Sequence, residues 1–412
     1  MEAGVALYIH IPFCLRKCYY CDFNSYPTGA FAPETIEGYT AALIREIRWY
    51  GARLARGGVR PRAGSVYSGG GTPTVLATGQ LQAILEACRE EFFPEQGKSG
   101  EVTGATEVTV EANPGTLTSE KLEGLLSAGA NRLSLGVQSL SDPLLAAIGR
   151  IHSAGDFIAN YQLARQIGFT NINVDLIFGL PGQTLAEWEE TLKRVVALSP
   201  EHISAYGLSI EEGTPFARWV AQGKLEPAGE ELEAAMLEAA MATLEAAGYE
   251  HYEISNYARP GFRSRHNQVY WRNEPYLGVG AGAWGYWQGV RHANVSRPGE
   301  YLERMSGERH ESWARDESGA RHAGFFSNAV TEAEQPSLPV QMGETMMMGL
   351  RLLEGVSFQR FRERFGRELL EVYPKEVEAL EREGLLSVSA EGVRLTRRGL
   401  LLANRVFAAF LP

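Results

Sequence analysis

The 412-residue sequence is short of cysteine and of positive charge, and it contains no run of eighteen apolar residues. The missing apolar run argues against a transmembrane helix, which needs about 20 such residues. Thirty-nine basic residues against fifty acidic ones give a net charge of −11. No basic excess is therefore available to neutralise a phosphate backbone, which argues against general nucleic-acid binding. The opening MEAGVALYIHIPFC lacks a basic region ahead of a long apolar stretch. It does not read as a signal peptide, and the cytoplasm is the expected compartment. Three of the four cysteines fall within eight residues, unlike the dispersed cysteines of a secreted disulfide scaffold.

What remains is an ordinary globular balance, 44% apolar and 22% charged, in a chain long enough for two or three domains. Apolar, β-branched runs at 5–11, 65–68, 106–110, 132–137, 171–177 and 202–208 alternate with helical patterns at 33–54, 79–92, 119–128, 157–166 and 184–198. This alternation predicts an α/β fold with parallel strands and right-handed crossovers. Six units predict a partial (β/α)6 barrel, with an open Rossmann-like sheet as the structural rival. The barrel is expected over 1–255. A Gly- and aromatic-rich connecting segment follows over 256–335, and a mainly helical, winged-helix-like domain over 336–412. No solenoid-period repeat is present.

Cys14-Leu-Arg-Lys-Cys18-Tyr-Tyr-Cys21 places three thiols in a tight loop directly after the first strand. Three close thiolates repel unless a cation neutralises them, and soft thiolates favour zinc or iron–sulfur over hard metals. Structural zinc takes four ligands, usually as two pairs. No second CxxC pair exists here, and Cys88 sits alone in an amphipathic pattern that suits a buried small hydrophobe. A three-cysteine loop leaves one iron of a [4Fe–4S] cubane without a protein ligand. The amino and carboxylate groups of S-adenosylmethionine (SAM) can chelate at that vacancy. CxxxCxxC is the signature of the radical SAM superfamily.

Barrel enzymes place chemistry at the C-terminal ends of their strands, and nearly every such end here carries a polar or glycine-rich feature. Ser68-Gly69-Gly70-Gly71-Thr72-Pro73 follows the second strand, where glycines allow close backbone approach to a ligand. Glu111 ends an apolar run and suits ribose hydroxyls, Gln138 closes LSLGVQS, and Arg150 follows it. Asp175 interrupts NVDLIFGLPG. Each alone reads equally well as a capping or fold-stabilising residue. Their convergence on one mouth points to a cofactor site.

With these motifs in place (YIHIPFCxxxCxxC, GGGTPT, VEANPGTL, RLSLGVQS, DLIFGLPGQT and MMMGLRL), the chain resembles the coproporphyrinogen III dehydrogenase-like branch of radical SAM proteins over almost its whole length. The resemblance implies a [4Fe–4S] cluster on Cys14, Cys18 and Cys21. It also implies SAM contacts from Tyr8, Gly70, Gly71, Thr72, Glu111, Gln138, Arg150 and Asp175, shared between as many as two SAM molecules. His10 reads as a supporting strand residue.

Two departures bear on function. Dehydrogenases of this branch carry CxxxCxxCxC, and Phe23 stands here where the extra cysteine falls. They also carry an N-terminal arm, for which a first strand beginning near residue 5 leaves no room. Both features resemble the HemW-type haem chaperones, as does HNxxYW at His266–Trp271. Imidazole is a natural axial ligand for haem iron, and in this resemblance His266 is a haem-contacting residue. The implied partners are haem, a haem-acceptor protein of respiratory type and an electron donor for the cluster. The resemblance also implies that the reduced cluster is able to cleave SAM to a 5′-deoxyadenosyl radical. The rival activities are oxidative decarboxylation of coproporphyrinogen and a HemN-like radical methyl transfer.

Overall fold

The computed structural model describes residues 2–58, 60–93, 106–307 and 325–412. The chain divides into two compact units. One comprises Met1–Asp175, Ser209–Pro227 and Pro275–Glu334; the other comprises Leu176–Leu208, Ala228–Glu274 and Gln335–Pro412.

In the first unit, strands alternate with helices as the apolar periodicity requires. Strand β1 is Glu2–Ile11, α1 Pro33–Arg56, β2 Arg60–Gly70, α2 Thr78–Phe92, β3 Glu107–Ala112, α3 Ser119–Ser127, β4 Arg132–Gln138 and α4 Ala154–Ile167. β1 pairs in parallel with β2, β2 with β3, and β3 with β4. β3 and β4 are buried at nearly every position, polar residues included, which fits a parallel sheet covered on both faces. Cys88 lies fully buried in α2, as its pattern predicts. Helix α4 starts at a capping box in which Ser153 Oγ accepts from Asp156 N at 3.1 Å and Asp156 accepts from Ser153 N at 2.8 Å. Those bonds begin the helix ahead of the expected 157.

Strand β5, Ile172–Phe178, carries the chain from one unit into the other. In the second unit follow α5 (Leu185–Leu198), β6 (His202–Gly207), α6 (Glu230–Ala246), and two short antiparallel strands, β7 (Glu250–Glu253) and β8 (Asn256–Ala258). β8 sits between β6 and β7. Trp188 of α5 is fully buried, and its indole N–H donates to the Met236 carbonyl of α6 at 2.8 Å. Helix α7, Arg265–Trp271, carries the HNxxYW motif. The C-terminal segment of this unit gathers helices and a short antiparallel hairpin, Leu386–Val388 against Gly392–Leu395, around Met346, Leu350, Phe361, Leu385, Val393 and Val406.

The stretch 256–335, read from sequence as one connecting segment, is shared between the two units. Residues Pro275–Glu334 return to the first unit, where β9 (Tyr276–Val279) pairs in parallel with β1 from Ala6↔Tyr276 to Ile9↔Val279. Strands β10 (Trp284–Trp287), β11 (Val290–Asn294) and β12 (Val330–Glu334) then extend the sheet antiparallel. The sheet edge that recruits β9 lies some 270 residues earlier in the chain, so no local pattern announces the pairing.

A buried carboxylate locks this extension to α1. Glu46 is fully buried and accepts four hydrogen bonds: Gly280 N at 2.8 Å, Asn294 Nδ2 at 2.9 Å, Tyr301 O–H at 2.7 Å and Ser327 O–H at 2.6 Å. Beside it, Tyr39 O–H donates to the His10 carbonyl at 2.9 Å and accepts from Ala281 N at 2.8 Å. The β9–β10 turn is thereby tied to the end of β1, where the cysteine loop begins.

Candidate cluster and cofactor site

The eleven cluster and cofactor residues expected from sequence, from Tyr8 to Asp175, all lie in the first unit; His266 lies in the second. The cysteine loop leaves β1 through Phe13–Cys14, which pairs with Tyr26–Pro27, and Cys21 N closes a turn onto Cys18 O at 3.3 Å. All three cysteines are free and half-buried. Burial pushes the Cys14 and Cys21 thiols up, and the Cys18 sulfur raises both further. Thiols so placed ionise only beside a cation, which a cluster iron supplies. Among the described residues, no three His, Cys, Asp or Glu side chains converge on one metal position. A cubane asks for something wider, since each thiolate takes a different iron. The donor set therefore fits a [4Fe–4S] cluster on Cys14, Cys18 and Cys21.

A chain of hydrogen bonds brackets two of these sulfurs. Thr72 O–H donates to Cys14 Sγ at 3.5 Å and accepts from Asn113 Nδ2 at 2.7 Å. Asn113 Oδ1 accepts from Arg150 Nη2 at 2.6 Å, and Arg150 Nη1 donates to Cys18 Sγ at 3.5 Å. Arg150 also donates to the Gly136 carbonyl. A side chain at Gly136 would meet Asn113, Gln138 and Arg150 together, so glycine there lets the three converge. Gln138 ends β4 with φ +69°, a left-handed conformation for a non-glycine residue. Beside the loop lies an open cleft lined by Cys18, Thr72, Asn113, Arg150 and His152, with Leu15 and Ile151 exposed on its rim.

The glycine loop is pressed against the first strand. Gly71 N donates to the Ile11 carbonyl at 2.9 Å, and Thr72 N to the Phe13 carbonyl at 2.7 Å. Gly70 has φ +101°, and a Cβ there would lie 2.4 Å from the His10 ring; at Gly71 it would lie 2.5 Å from Phe13 O. His10 needs that space. Its Nε2 lies 2.8 Å from the Asn24 carbonyl, which only accepts, so Nε2 carries the proton. Nδ1 is then the acceptor, and the Tyr8 hydroxyl donates to it at 3.0 Å. Gly70→Ala is expected to displace His10 and with it Tyr8. It should cost about 1–2 kcal/mol for the left-handed backbone and weaken SAM binding, read by thermal melting and equilibrium dialysis.

Glu111, half-buried at the end of β3, accepts from the Tyr67 hydroxyl at 2.6 Å. Burial pushes its carboxyl up to about 7, and the Asp175 charge adds to the shift. Hydrogen bonds from Tyr67 and Gly70 N oppose it, as does the Arg132 charge. Asp175 accepts from Ser134 O–H at 2.9 Å and Asn173 Nδ2 at 2.8 Å. The mouth thus offers carboxylates for hydroxyl or ammonium groups and a thiol loop for iron, whereas the N–H groups of Gly70, Gly71 and Thr72 are taken by Glu111 and by the Ile11 and Phe13 carbonyls. Residue-by-residue reading of the sequence missed Tyr67, Asn113, Ser134 and Asn173. Asn113 had a signal, its place in VEANPG beside Glu111; the other three look like ordinary strand residues.

His266 is 1% exposed, and its Nε2 lies 2.8 Å from the Tyr270 hydroxyl one helical turn on. Ser264 caps this helix through Asn267 N, and Arg351 lies over the Trp271 ring at 4.3 Å. In this arrangement the motif is packed upon itself, and His266 does not offer Nε2 to an incoming ligand.

This fold and donor set define a radical SAM protein, and residues 8–195 match the radical SAM superfamily. Residues 337–402 match the HemN C-terminal domain. The chain is 40% identical to "Heme chaperone HemW" of Bacillus subtilis over 98% of both chains. It is 35% identical to the protein of that name from Lactococcus lactis, over 98% of this chain and 96% of the relative. The chain belongs to the HemW family. The coproporphyrinogen III oxidase (HemN) of Escherichia coli has the same fold, with a TM-score of 0.76 at 24% identity over 99% of this chain and 90% of that one. The fold is accordingly the α/β partial barrel of radical SAM proteins followed by a mainly helical C-terminal domain.

Proposed function

We propose that this protein is a haem chaperone: it carries a [4Fe–4S] cluster and SAM, binds haem and delivers it to an acceptor protein. The observation that carries this reading is the end-to-end similarity to haem chaperones. Phe23 supports it, since it stands exposed two residues after Cys21, where coproporphyrinogen dehydrogenases have a further cysteine. Among the described residues no helix is long and apolar enough to cross a membrane. The site of action is the cytoplasm, and an electron donor for the cluster and a respiratory haem acceptor complete the set of partners.

A bound cluster with SAM supplies reductive cleavage of the sulfonium; the chain's residues bind, orient and shield. Cys14, Cys18 and Cys21 hold the iron. Thr72 and Arg150 donate to two of the sulfurs and so stabilise their negative charge. Tyr8, Gly70, Gly71, Glu111, Gln138 and Asp175 hold SAM. His266 contacts haem once the Tyr270 hydroxyl has left its Nε2.

The test is anaerobic reconstitution of the full chain, followed by haem titration and coproporphyrinogen turnover. Stable haem binding without turnover is the expected result; turnover without stable haem binding would sink the reading. His266→Ala is expected to weaken haem binding roughly tenfold or more, while Tyr270→Phe, which removes the hydroxyl from Nε2, retains it. Unchanged binding by His266→Ala would leave the chaperone standing and remove His266 from its site.

A further inference from the structure

We propose that Tyr67 is a positioning residue for the SAM site, its phenol O–H holding the Glu111 carboxylate ionised and turned as an acceptor towards the cofactor. The proposal rests on the reading that Glu111 contacts SAM. Tyr67 and Gly69 lie on one face of β2, opposite the end of β3 that carries Glu111. Gly69 makes the room: a Cβ there would lie 2.9 Å from the Glu111 carboxyl carbon and 2.9 Å from the Tyr67 ring. Only with glycine at that point do phenol and carboxylate meet at 2.6 Å. The Tyr67 ring stacks on Tyr8, centroids 6.3 Å apart. The two hydroxyls commit their hydrogens within the protein, one to Glu111 and the other to His10.

The chemistry explains why such a donor matters. A ribose diol presents two O–H donors and SAM is a net cation, so both favour a carboxylate over a carboxylic acid. Burial works in the opposite direction and leaves Glu111 near neutrality, at about 7. The groups facing it are Tyr8 from β1, Tyr67 from β2, Arg132 from β4 and Asp175 from β5. Asp175 opposes ionisation; Tyr67 and Arg132 favour it. Loss of the phenol O–H therefore moves the ionisation upward, and cofactor binding at neutral pH weakens.

The experiment is equilibrium dialysis of SAM against the anaerobically reconstituted full chain between mildly acidic and mildly alkaline pH, for wild type, Tyr67→Phe and Glu111→Gln. Iron content and melting temperature are checked for each. Wild-type affinity should fall as pH falls through about 7. Tyr67→Phe should bind roughly three- to tenfold more weakly at neutral pH, with its midpoint moved upward and the deficit narrowing at alkaline pH. Glu111→Gln should lose the part of the pH dependence centred at about 7 and keep only what the SAM amino group contributes by deprotonating to bind iron. An unchanged midpoint in Tyr67→Phe, or a deficit equal at every pH, overturns the proposal. Wild-type affinity and pH dependence in Glu111→Gln would instead overturn the Glu111 reading beneath it.

Discussion

Replacement of Cys14, Cys18 and Cys21 together by serine is expected to take bound iron from about four atoms per chain to none after anaerobic reconstitution. The visible absorbance of the cluster should disappear with it. Serine keeps the size of each side chain but is too hard and too weakly acidic a ligand for these irons. The fold should survive. All three cysteines are half-buried on a surface loop, and none belongs to the buried apolar core. The iron-free melting temperature should therefore move little, as for surface substitutions within ±0.5 kcal/mol or so. Cys88→Ser gives the opposite pattern. Its fully buried thiol packs in α2 away from the loop, so iron content stays and stability falls. Retention of wild-type iron by the triple variant would remove the cluster assignment, and with it the SAM site built on the open iron.

The second large effect lies in a residue with no contact to cofactor. Glu46→Ala strips the acceptor from four buried donors, Gly280 N, Asn294 Nδ2, Tyr301 O–H and Ser327 O–H. Each buried donor left unsatisfied costs about 1–3 kcal/mol, partly relieved by water entering the gap. The expected loss is roughly 3–5 kcal/mol, enough to unfold a marginal domain. Denaturant unfolding of the iron-free chain measures it, and Tyr301→Phe should show a smaller loss. The pH dependence has a definite sign. Burial raises the Glu46 carboxyl above its ordinary value of 4.5. A raised folded-state value means that the folded form holds this proton more tightly. The contribution is fully present below 4.5 and is lost as pH rises through the raised folded value. Glu46→Gln should flatten that part of the profile, whereas an identical slope in both proteins would place the titration elsewhere.

The two experiments probe features of opposite visibility. The cysteine loop is local, eight residues whose spacing already implies three thiolates around one centre. Glu46 is one glutamate of α1 among many along the chain. It becomes a hub only because β9–β12 return to the open edge of β1 and bring Asn294, Tyr301 and Ser327 against it. Sequence periodicity likewise marks β1 to β6 and the helices between them, because each strand carries its own apolar signature. It gives no sign that 256–335 is divided between two compact units, since that division depends on pairings across more than two hundred residues.

The site shows the same split. Tyr8, Gly70, Gly71, Thr72, Glu111, Gln138, Arg150 and Asp175 stand in motifs whose residue types and order already speak for cofactor chemistry. Their supports do not. Tyr67 is an aromatic in a strand until β3 brings Glu111 within 2.6 Å of its hydroxyl. Asn113 gains its role only when Thr72 and Arg150 flank it and connect it to two cysteine sulfurs. His266 changed in the other direction. HNxxYW reads as an imidazole among aromatics offered to haem, yet the helix places His266 and Tyr270 one turn apart and satisfies Nε2 internally.

By itself, then, the sequence brought forward the atoms proposed to meet the cofactors: three thiols, a glycine loop and a set of polar strand ends. These are short-range facts, set by residue type and spacing. Tertiary structure alone decided how those atoms are held, protonated and made accessible. Those properties depend on burial and on donors from distant segments, and neither exists until the chain has folded.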